Sequence, residues 1–355
     1  MFDLSKHDIG IDRLDFYLPD NFYFLKDYCR LEPEEFTLEK MNSIWSASFF
    51  EADYQHRFFL DGVKDLKGNL APLRPEEVEE FTRDSGIDRV YCASHETASD
   101  MALKVSERVL RREPDLTDEI NVVIHYHSTL NERLGSSTPG RIQHEAQLKN
   151  TFGFSVDQKN DCGSIVSLKI AAEMLAAEPE MKAILLAGSE KLAAPYSRVF
   201  GKMTVMGDSA SAMVVRRGAK QCRLLGINII DCPEGWDPCG YTQEQLSGYK
   251  ESMADRAAAL LGETLESLRI RWNDVALLIP PNINLSLANM IGTKLNLRRE
   301  KIYSRNIARY GYLMATDMVA NLSTSLSEGV IKPGDIVVAL NIAFGHSLGC
   351  AVVKV

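Results

Sequence analysis

A chain of 355 residues exceeds one average domain, and a 45% hydrophobic, 25% charged composition is that of a soluble globular protein able to bury a large core. A formal charge of −9 argues against a general nucleic-acid binder, which needs a basic face for phosphate contacts. No stretch approaches the roughly 18 apolar residues of a membrane span, and Met1-Phe2-Asp3-Leu4-Ser5-Lys6 lacks the basic-then-apolar order of a signal peptide, so a cytoplasmic location is expected.

In chain order, Ile9 to Pro19 reads as a strand ending at a proline turn, and Phe22 to Leu31 as helix-like. Glu34 to Asp84 is aromatic-rich (Trp45, Phe49, Phe50, Tyr54, Phe58, Phe59) with no clean period, and is expected to be an irregular insertion covering something. Asp100 to Arg112 is an amphipathic helix, Ile120 to Tyr126 a buried strand, and Leu134 to Pro139 a loop entering a helix over Gly140 to Lys149. A loop out of Phe152 to Val156 leads to Asp161-Cys162-Gly163-Ser164. The next run, Ile165 to Ala177, carries Ile165, Leu168, Ala172 and Leu175 at helical spacing. The strand Ala183 to Ala187 ends in Gly188-Ser189. Met206-Gly207-Asp208-Ser209-Ala210-Ser211-Ala212 then runs into Met213-Val214-Val215, and such small residues imply close backbone approach. A long helix Tyr249 to Leu268, the strand Val275 to Ile279, helices Leu285 to Leu295 and Ala315 to Leu326, and strands Ile336 to Asn341 and Cys350 to Val355 complete the chain. Strands alternate with helices in both parts, so the expected fold class is α/β in two similar halves, 1–220 and 221–355, the first carrying the insertion at about 34–84.

Cys162 opens a buried helix. Unpaired N–H groups and the positive end of the helix dipole point at such a position, and both favour thiolate over thiol. A nucleophile is one reading and a buried cysteine acting as a small hydrophobe the other. Seven cysteines at scattered positions fit a reduced compartment better than a disulfide framework. Cys222, Cys232 and Cys239 lie closest together but lack a CxxC pair or a nearby histidine, so no metal site is expected. The basic clusters Arg269-Ile270-Arg271 and Arg298-Arg299-Glu300-Lys301 are either solvated surface or a docking place for a phosphopantetheine arm or an acidic carrier protein.

Four spaced elements together resemble the thiolase superfamily and, within it, the ketoacyl-carrier-protein synthase III branch. They are the cysteine opening a buried helix, the Met206-Gly207-Asp208 to Ala212 entry, Arg309-Tyr310-Gly311, and Lys332-Pro333-Gly334-Asp335 followed by Phe344-Gly345 and a closing strand. The resemblance implies a five-layered αβαβα fold with Cys162 at its centre and a homodimer, or a heterodimer with a related synthase. It further implies that Leu134 closes the neighbouring subunit's acyl pocket and that Gly345 lies in the loop giving an oxyanion N–H. The chemistry it implies is an acyltransferase taking an acyl group onto Cys162 from an acyl-coenzyme A or acyl-carrier-protein thioester, with no permanently bound cofactor and with no nucleic acid or membrane as partner.

This chain departs from the family pattern at two places. Pro281, in Ile279-Pro280-Pro281-Asn282-Ile283-Asn284, occupies the family's histidine position, and Tyr312 stands at its asparagine position. Those groups bind the enolate formed when a malonyl thioester loses carbon dioxide, and proline has no side-chain donor. Decarboxylation is therefore not expected. Asn282, Asn284 and Tyr312 are left as candidate donors to an acyl oxygen. Among the seven histidines, His346 stands in the glycine-rich loop beside the cysteine, and it faces either the thiol as a base or the core. His125 and His127 share a strand face and are read as structural, with His127 in reserve. The leading function is acyl transfer to an amine, hydroxyl or thiol in a biosynthetic pathway. The alternatives are a carbon–carbon condensing synthase with a replaced triad and an inactive partner subunit.

Overall fold

A computed structural model describes residues 1–28, 75–113, 115–129, 135–192, 198–200, 202–235, 242–343 and 347–355. Its strands are β1 Phe2–Asp3, β2 Ile9–Tyr17, β3 Phe22–Phe24, β4 Arg89–Tyr91, β5 Ile120–Tyr126, β6 Phe152–Val156 and β7 Ala183–Glu190, then β8 Val199–Phe200, β9 Thr204–Val205, β10 Ser209–Arg217, β11 Cys222–Asp231, β12 Val275–Ile279, β13 Ile336–Ala343 and β14 Ser347–Lys354. The helices are α1 Leu25–Tyr28, α2 Pro75–Ser85, α3 Ala98–Leu110, α4 Leu116–Glu119, α5 Thr138–Glu145, α6 Gly163–Ala177, α7 Gln243–Ser267, α8 Leu285–Lys294, α9 Arg305–Tyr310 and α10 Asp317–Ser327.

One connected sheet runs β12-β13-β14-β11-β2-β10-β7-β5-β6, with β1 beside β11. The same unit occurs in it twice. β5 is parallel to β7, β7 antiparallel to β10, and β10 antiparallel to β2. In the second unit β12 is parallel to β13, β13 antiparallel to β14, and β14 antiparallel to β11. The two units join where Cys222 and Arg223 of β11 pair with Ile11 and Gly10 of β2.

A parallel pair needs a long crossover, and each crossover here supplies a helix to the middle of the molecule. Between β5 and β7 that helix is α6; between β12 and β13 it is α10. Ile165, Leu168 and Leu175 of α6 and Met318, Val319 and Leu322 of α10 share one core cluster with the inner residues of both units. Helix α3 packs on the outer face of the first unit with Val123, Leu185 and Val214, and α7 and α8 on that of the second with Val338, Leu340 and Val352. The layers are helix, sheet, helix, sheet, helix, the five-layered α/β arrangement expected. Because α6 lies between two sheets, Ile165, Leu168, Ala171, Ala172 and Leu175 are all buried.

Three local expectations are corrected. Phe22–Phe24 is a strand, paired antiparallel with β4, before the short helix α1; three adjacent aromatic residues favour the extended chain, and Arg89 stacks on Phe22 and Phe24 at 4.9 and 5.7 Å. Phe152–Val156 is not a loop but strand β6, parallel to β5, where aromatic and small residues alternate. The insertion expected at 34–84 lies outside the described residues up to 74. From Pro75 it is regular, because α2 turns Val78 and Phe81 inward. The tight approach falls on β7 rather than on the 206–212 run: a Cβ on Gly188 would lie 2.1 Å from the Tyr126 ring, so only glycine lets β7 pass that side chain, whereas one on Gly207 would meet Leu313 at an ordinary 3.4 Å; the Tyr126 hydroxyl continues to Ser211 Oγ at 2.6 Å.

Candidate active site

Helix α6 begins from a 3₁₀ turn, Asn160–Cys162, with Cys162 as its N-cap residue. The side chain is fully buried, and Sγ donates to Ser347 O at 3.4 Å and Asn341 O at 3.7 Å, both in the β13–β14 hairpin. Position at the helix start is as the sequence predicts; the acidity is not. Burial pushes the thiol above its ordinary range. A backbone hydrogen bond from Ala343 pulls it down, and the Asp161 charge adds to the rise. The resting group is a thiol donating to carbonyl oxygens. Burial thus works against the pull toward thiolate expected from the helix end.

Asp161, next to Cys162, is buried, and its carboxylate accepts the phenolic proton of Tyr312 on Oδ2 and a 3.4 Å bond from Ser128 Oγ on Oδ1. Asn341 reaches across from β13. Its Nδ2 donates to Asp161 O at 2.5 Å and Ser164 Oγ at 2.9 Å, while its own carbonyl receives the thiol. Tyr312 is fully buried and held at its backbone by Gly207, whose N–H donates to Tyr312 O at 2.8 Å. Glu190, at the end of β7, accepts from Ser128 N at 2.9 Å and Thr129 N at 3.0 Å. Burial and the Asp161 charge push it up to about 8. Ser128 thus links the two carboxyl groups.

On the other side of the site, Asp317 at the start of α10 accepts from Asn282 N at 2.7 Å, Asn282 Nδ2 at 3.0 Å and Leu313 N at 3.0 Å. Burial drives its acidity well down despite those donors. This carboxyl ties the Pro280–Asn284 loop to the Tyr312–Leu313 turn. Asn282 also exchanges bonds with Asn321, 3.3 Å from Asn282 Nδ2 and 3.0 Å to Asn282 Oδ1. Both Asn282 amide protons are therefore engaged, which leaves neither for an acyl oxygen. Tyr312 likewise directs its phenolic proton at Asp161. Asn284 caps α8 through a 2.7 Å bond from Leu287 N and donates to Met203 O at 2.9 Å.

Leu134, Gly345 and His346 lie outside the described residues. Their chain neighbour Ser347 touches the thiol. His125 and His127 stack, with ring centroids 4.9 Å apart. They continue the Val123 face of β5, toward α3, whereas Ile124 and Tyr126 face the α6 cluster. His125 Nε2 pairs with Ser189 Oγ at 3.0 Å, burial pushes its pKa down to about 3, and His127 Nδ1 donates to Thr129 O at 2.7 Å. Arg271 and Arg298 are exposed and pair with Asp274 and Glu300 beside them, while Lys301 Nζ donates to Trp272 O and Val275 O. Sequence reasoning gave no role to Asp161, Glu190, Asp317 or Asn341. The signal for Asp161 was a carboxylate next to the cysteine ahead of an apolar helix, where a charge needs a buried partner.

The profile described as 3-Oxoacyl-[acyl-carrier-protein (ACP)] synthase III matches residues 156–231, and that of the C-terminal part of the same synthase matches residues 265–355. The first span contains Cys162, and the second holds Pro281 and Tyr312. In both spans the chain is similar to the ketoacyl-synthase III family. Among its relatives, beta-ketoacyl-[acyl-carrier-protein] synthase III of Aquifex aeolicus is 25% identical over 284 residues, covering 78% of this chain and 90% of the relative. The solved structure of the Aquifex aeolicus synthase III superposes with a TM-score of 0.73 at 22% identity, covering 98% of this chain and all of that one. ChlB3, described as an acyltransferase, reaches a TM-score of 0.76 at 18% identity, with 98% of each chain covered. These solved structures establish the thiolase-type fold for the ketoacyl-synthase III-like chain. Among the described residues no helix is long and apolar enough to cross a membrane.

Proposed function

We propose that this ketoacyl-synthase III-like protein is an acyltransferase that loads an acyl group from an acyl-coenzyme A or acyl-carrier-protein thioester onto Cys162. It then passes the group to an acceptor in a biosynthetic pathway without decarboxylating a malonyl unit. The observation carrying this reading is Cys162 itself, at the start of the central helix and inside a profile match to acyl-carrier-protein synthases. In the loading step the sulfur attacks the thioester carbonyl carbon, the bond to the carrier sulfur breaks, and the thiol proton passes to the departing carrier thiolate. The base for that transfer is proposed to be His346, the residue before Ser347, whose carbonyl already receives the thiol proton at 3.4 Å. No resident cofactor takes part in this scheme.

The absence of decarboxylation follows from the two replaced positions. Pro281 has no side-chain donor, Asn282 has both amide protons engaged, and Tyr312 donates to Asp161. An enolate oxygen there lacks the donors that lower its energy. A homodimer is supported by β6, which pairs only with β5 among the described strands and leaves Phe152 62% exposed at the edge of the sheet. The test is intact-protein mass after incubation with acetyl-, butyryl- and octanoyl-coenzyme A. A gain of one acyl group, mapped to the Cys162 peptide, is expected, and no gain with any of these donors or their carrier-protein equivalents overturns the proposal.

A further inference from the structure

A ring of contacts closes around Cys162. Its N–H donates to Lys159 O at 3.0 Å, across the 3₁₀ turn that leads into α6. The Lys159 ammonium pairs with both carboxylate oxygens of Asp231, Nζ lying 2.9 Å from Oδ1 and 3.0 Å from Oδ2. Asp231 Oδ1 also accepts from Ser347 Oγ at 2.7 Å, and the ring returns to its start where Ser347 O receives the thiol at 3.4 Å. Lys159 and Cys162 belong to the first unit, Asp231 and Ser347 to the second. The main chain and the sulfur of Cys162 are thus held against different parts of the molecule, and the ring ties those parts together.

The side chains matter because of where they lie in the sheet. Asp231 is the last residue of β11 and Ser347 the first of β14, and they face each other on the final rung of the ladder between these strands. Rungs at the end of a ladder open most easily, and the hydroxyl-to-carboxylate bond fastens this one from the side. The carbonyl that receives the thiol belongs to that rung. Stability gives little reason for the ion pair, since the Lys159 and Asp231 side chains are 33% and 58% exposed and pairs so exposed contribute little. Alignment gives a better one, because a small displacement of a reacting atom is costly in rate.

We infer that Asp231 and Lys159 are positioning residues for Cys162, fixing the Ser347 carbonyl that orients the sulfur against the turn that carries it. This role rests on the proposed loading step and deepens it. Neither side chain exchanges a proton with the sulfur; Asp231 acts through Ser347, and Lys159 through Asp231 and through its own carbonyl.

The test is the rate at which the protein gains an acetyl group from S-acetyl-N-acetylcysteamine, an uncharged donor, followed by intact mass over a range of donor concentrations. Asp231→Asn, Lys159→Met and Ser347→Ala each open the ring at a different place, so a variant that fails to fold leaves the others. Each should lower the maximal loading rate by about 10- to 100-fold, the scale of a slight misplacement of reacting groups, and move the half-saturating donor concentration by less than about threefold. Combining Asp231→Asn with Ser347→Ala should add less than about twofold to the larger single loss, and Asp231→Glu and Lys159→Arg should recover most of the rate. Charge alone leads to a different result. Lys159 pulls the thiol's pKa down and Asp231 pushes it up, so a purely electrostatic role would make Asp231→Asn load faster and Lys159→Met slower. Such opposite changes, unchanged rates, fully additive losses, or a higher half-saturating concentration at an unchanged maximal rate overturn the positioning role alone. No acetyl gain by the unmodified protein, from this donor or from acetyl-coenzyme A, overturns the loading step and the positioning role with it.

Discussion

The helices α6 and α10 hold equivalent places in the two units, and each starts from a 3₁₀ turn, Asn160–Cys162 in one and Met314–Thr316 in the other. Their N-termini have opposite fates. At α10 the first residue is Asp317, whose carboxyl gathers three N–H donors from two loops and closes the end. At α6 the corresponding turn ends in Cys162, whose sulfur meets carbonyl oxygens. The same backbone turn thus leads into a clamp where the helix opens with Asp317 and into a candidate reaction centre where its cap is the thiol of Cys162. The dipole common to both is not what separates them; the partners offered by neighbouring strands are.

The sharpest way to break this comparison is to exchange the two ends. Cys162→Ala should abolish acyl uptake in intact-mass measurements, whereas Thr316→Ala, at the matching place before α10, should still load. Uptake that survives Cys162→Ala would move the nucleophile elsewhere. Next in size is the fate of a malonyl donor. With Pro281 and Tyr312 in place of donors, carbon dioxide release from malonyl-coenzyme A should fall about 10²–10³-fold or more below that of a synthase retaining them, read with labelled malonyl-coenzyme A. Release at ordinary synthase rates would show that the C-terminal unit still binds an enolate.

On stability, Asp317→Ala orphans three buried donors and should cost about 3–5 kcal/mol, seen as a lower urea midpoint at unchanged m-value. A loss within about 0.5 kcal/mol would mean the clamp contributes nothing net. A further test concerns Glu190. Its folded pKa is raised from 4.5 to about 8, so the folded chain holds a proton that the unfolded chain has released between those values. The resulting contribution to stability is present below pH 4.5 and is lost as pH rises through about 8, at no more than about 1.4 kcal/mol per pH unit. Unfolding of Glu190→Gln across that window should lack this component, and parallel stability curves for the two proteins would refute the assignment.

The central elements were legible because their patterns are long and one-sided. Ile165 to Ala177 announced α6 by spacing, Ile120 to Tyr126 was read as the buried strand that is β5, and Leu285 to Leu295 as the helix that is α8. Strand β6 was missed because five residues interrupted by Gly153 carry little periodic signal, and their extended form is imposed by β5 beside them. In the site, Cys162 could be found from its place before a helix. The partners of its neighbour could not, since Asp161 and Tyr312 are 151 positions apart and meet only when α6 and α10 share a layer. For the same reason the burial that raises the thiol's pKa was not readable. The dipole is a local property that sequence displays, whereas the depth of burial belongs to the whole assembly.

Asn341 and Ser347, whose carbonyls receive the thiol, follow Cys162 by 179 and 185 positions. A ribosome therefore delivers the Cys162 sulfur well before the hairpin that shields it. A nascent first unit would carry Cys162 at a helix end without those acceptors and without the surroundings that raise its pKa, and hence more open to oxidation than in the finished protein. Shielding of the sulfur and assembly of the candidate site around it are then one event.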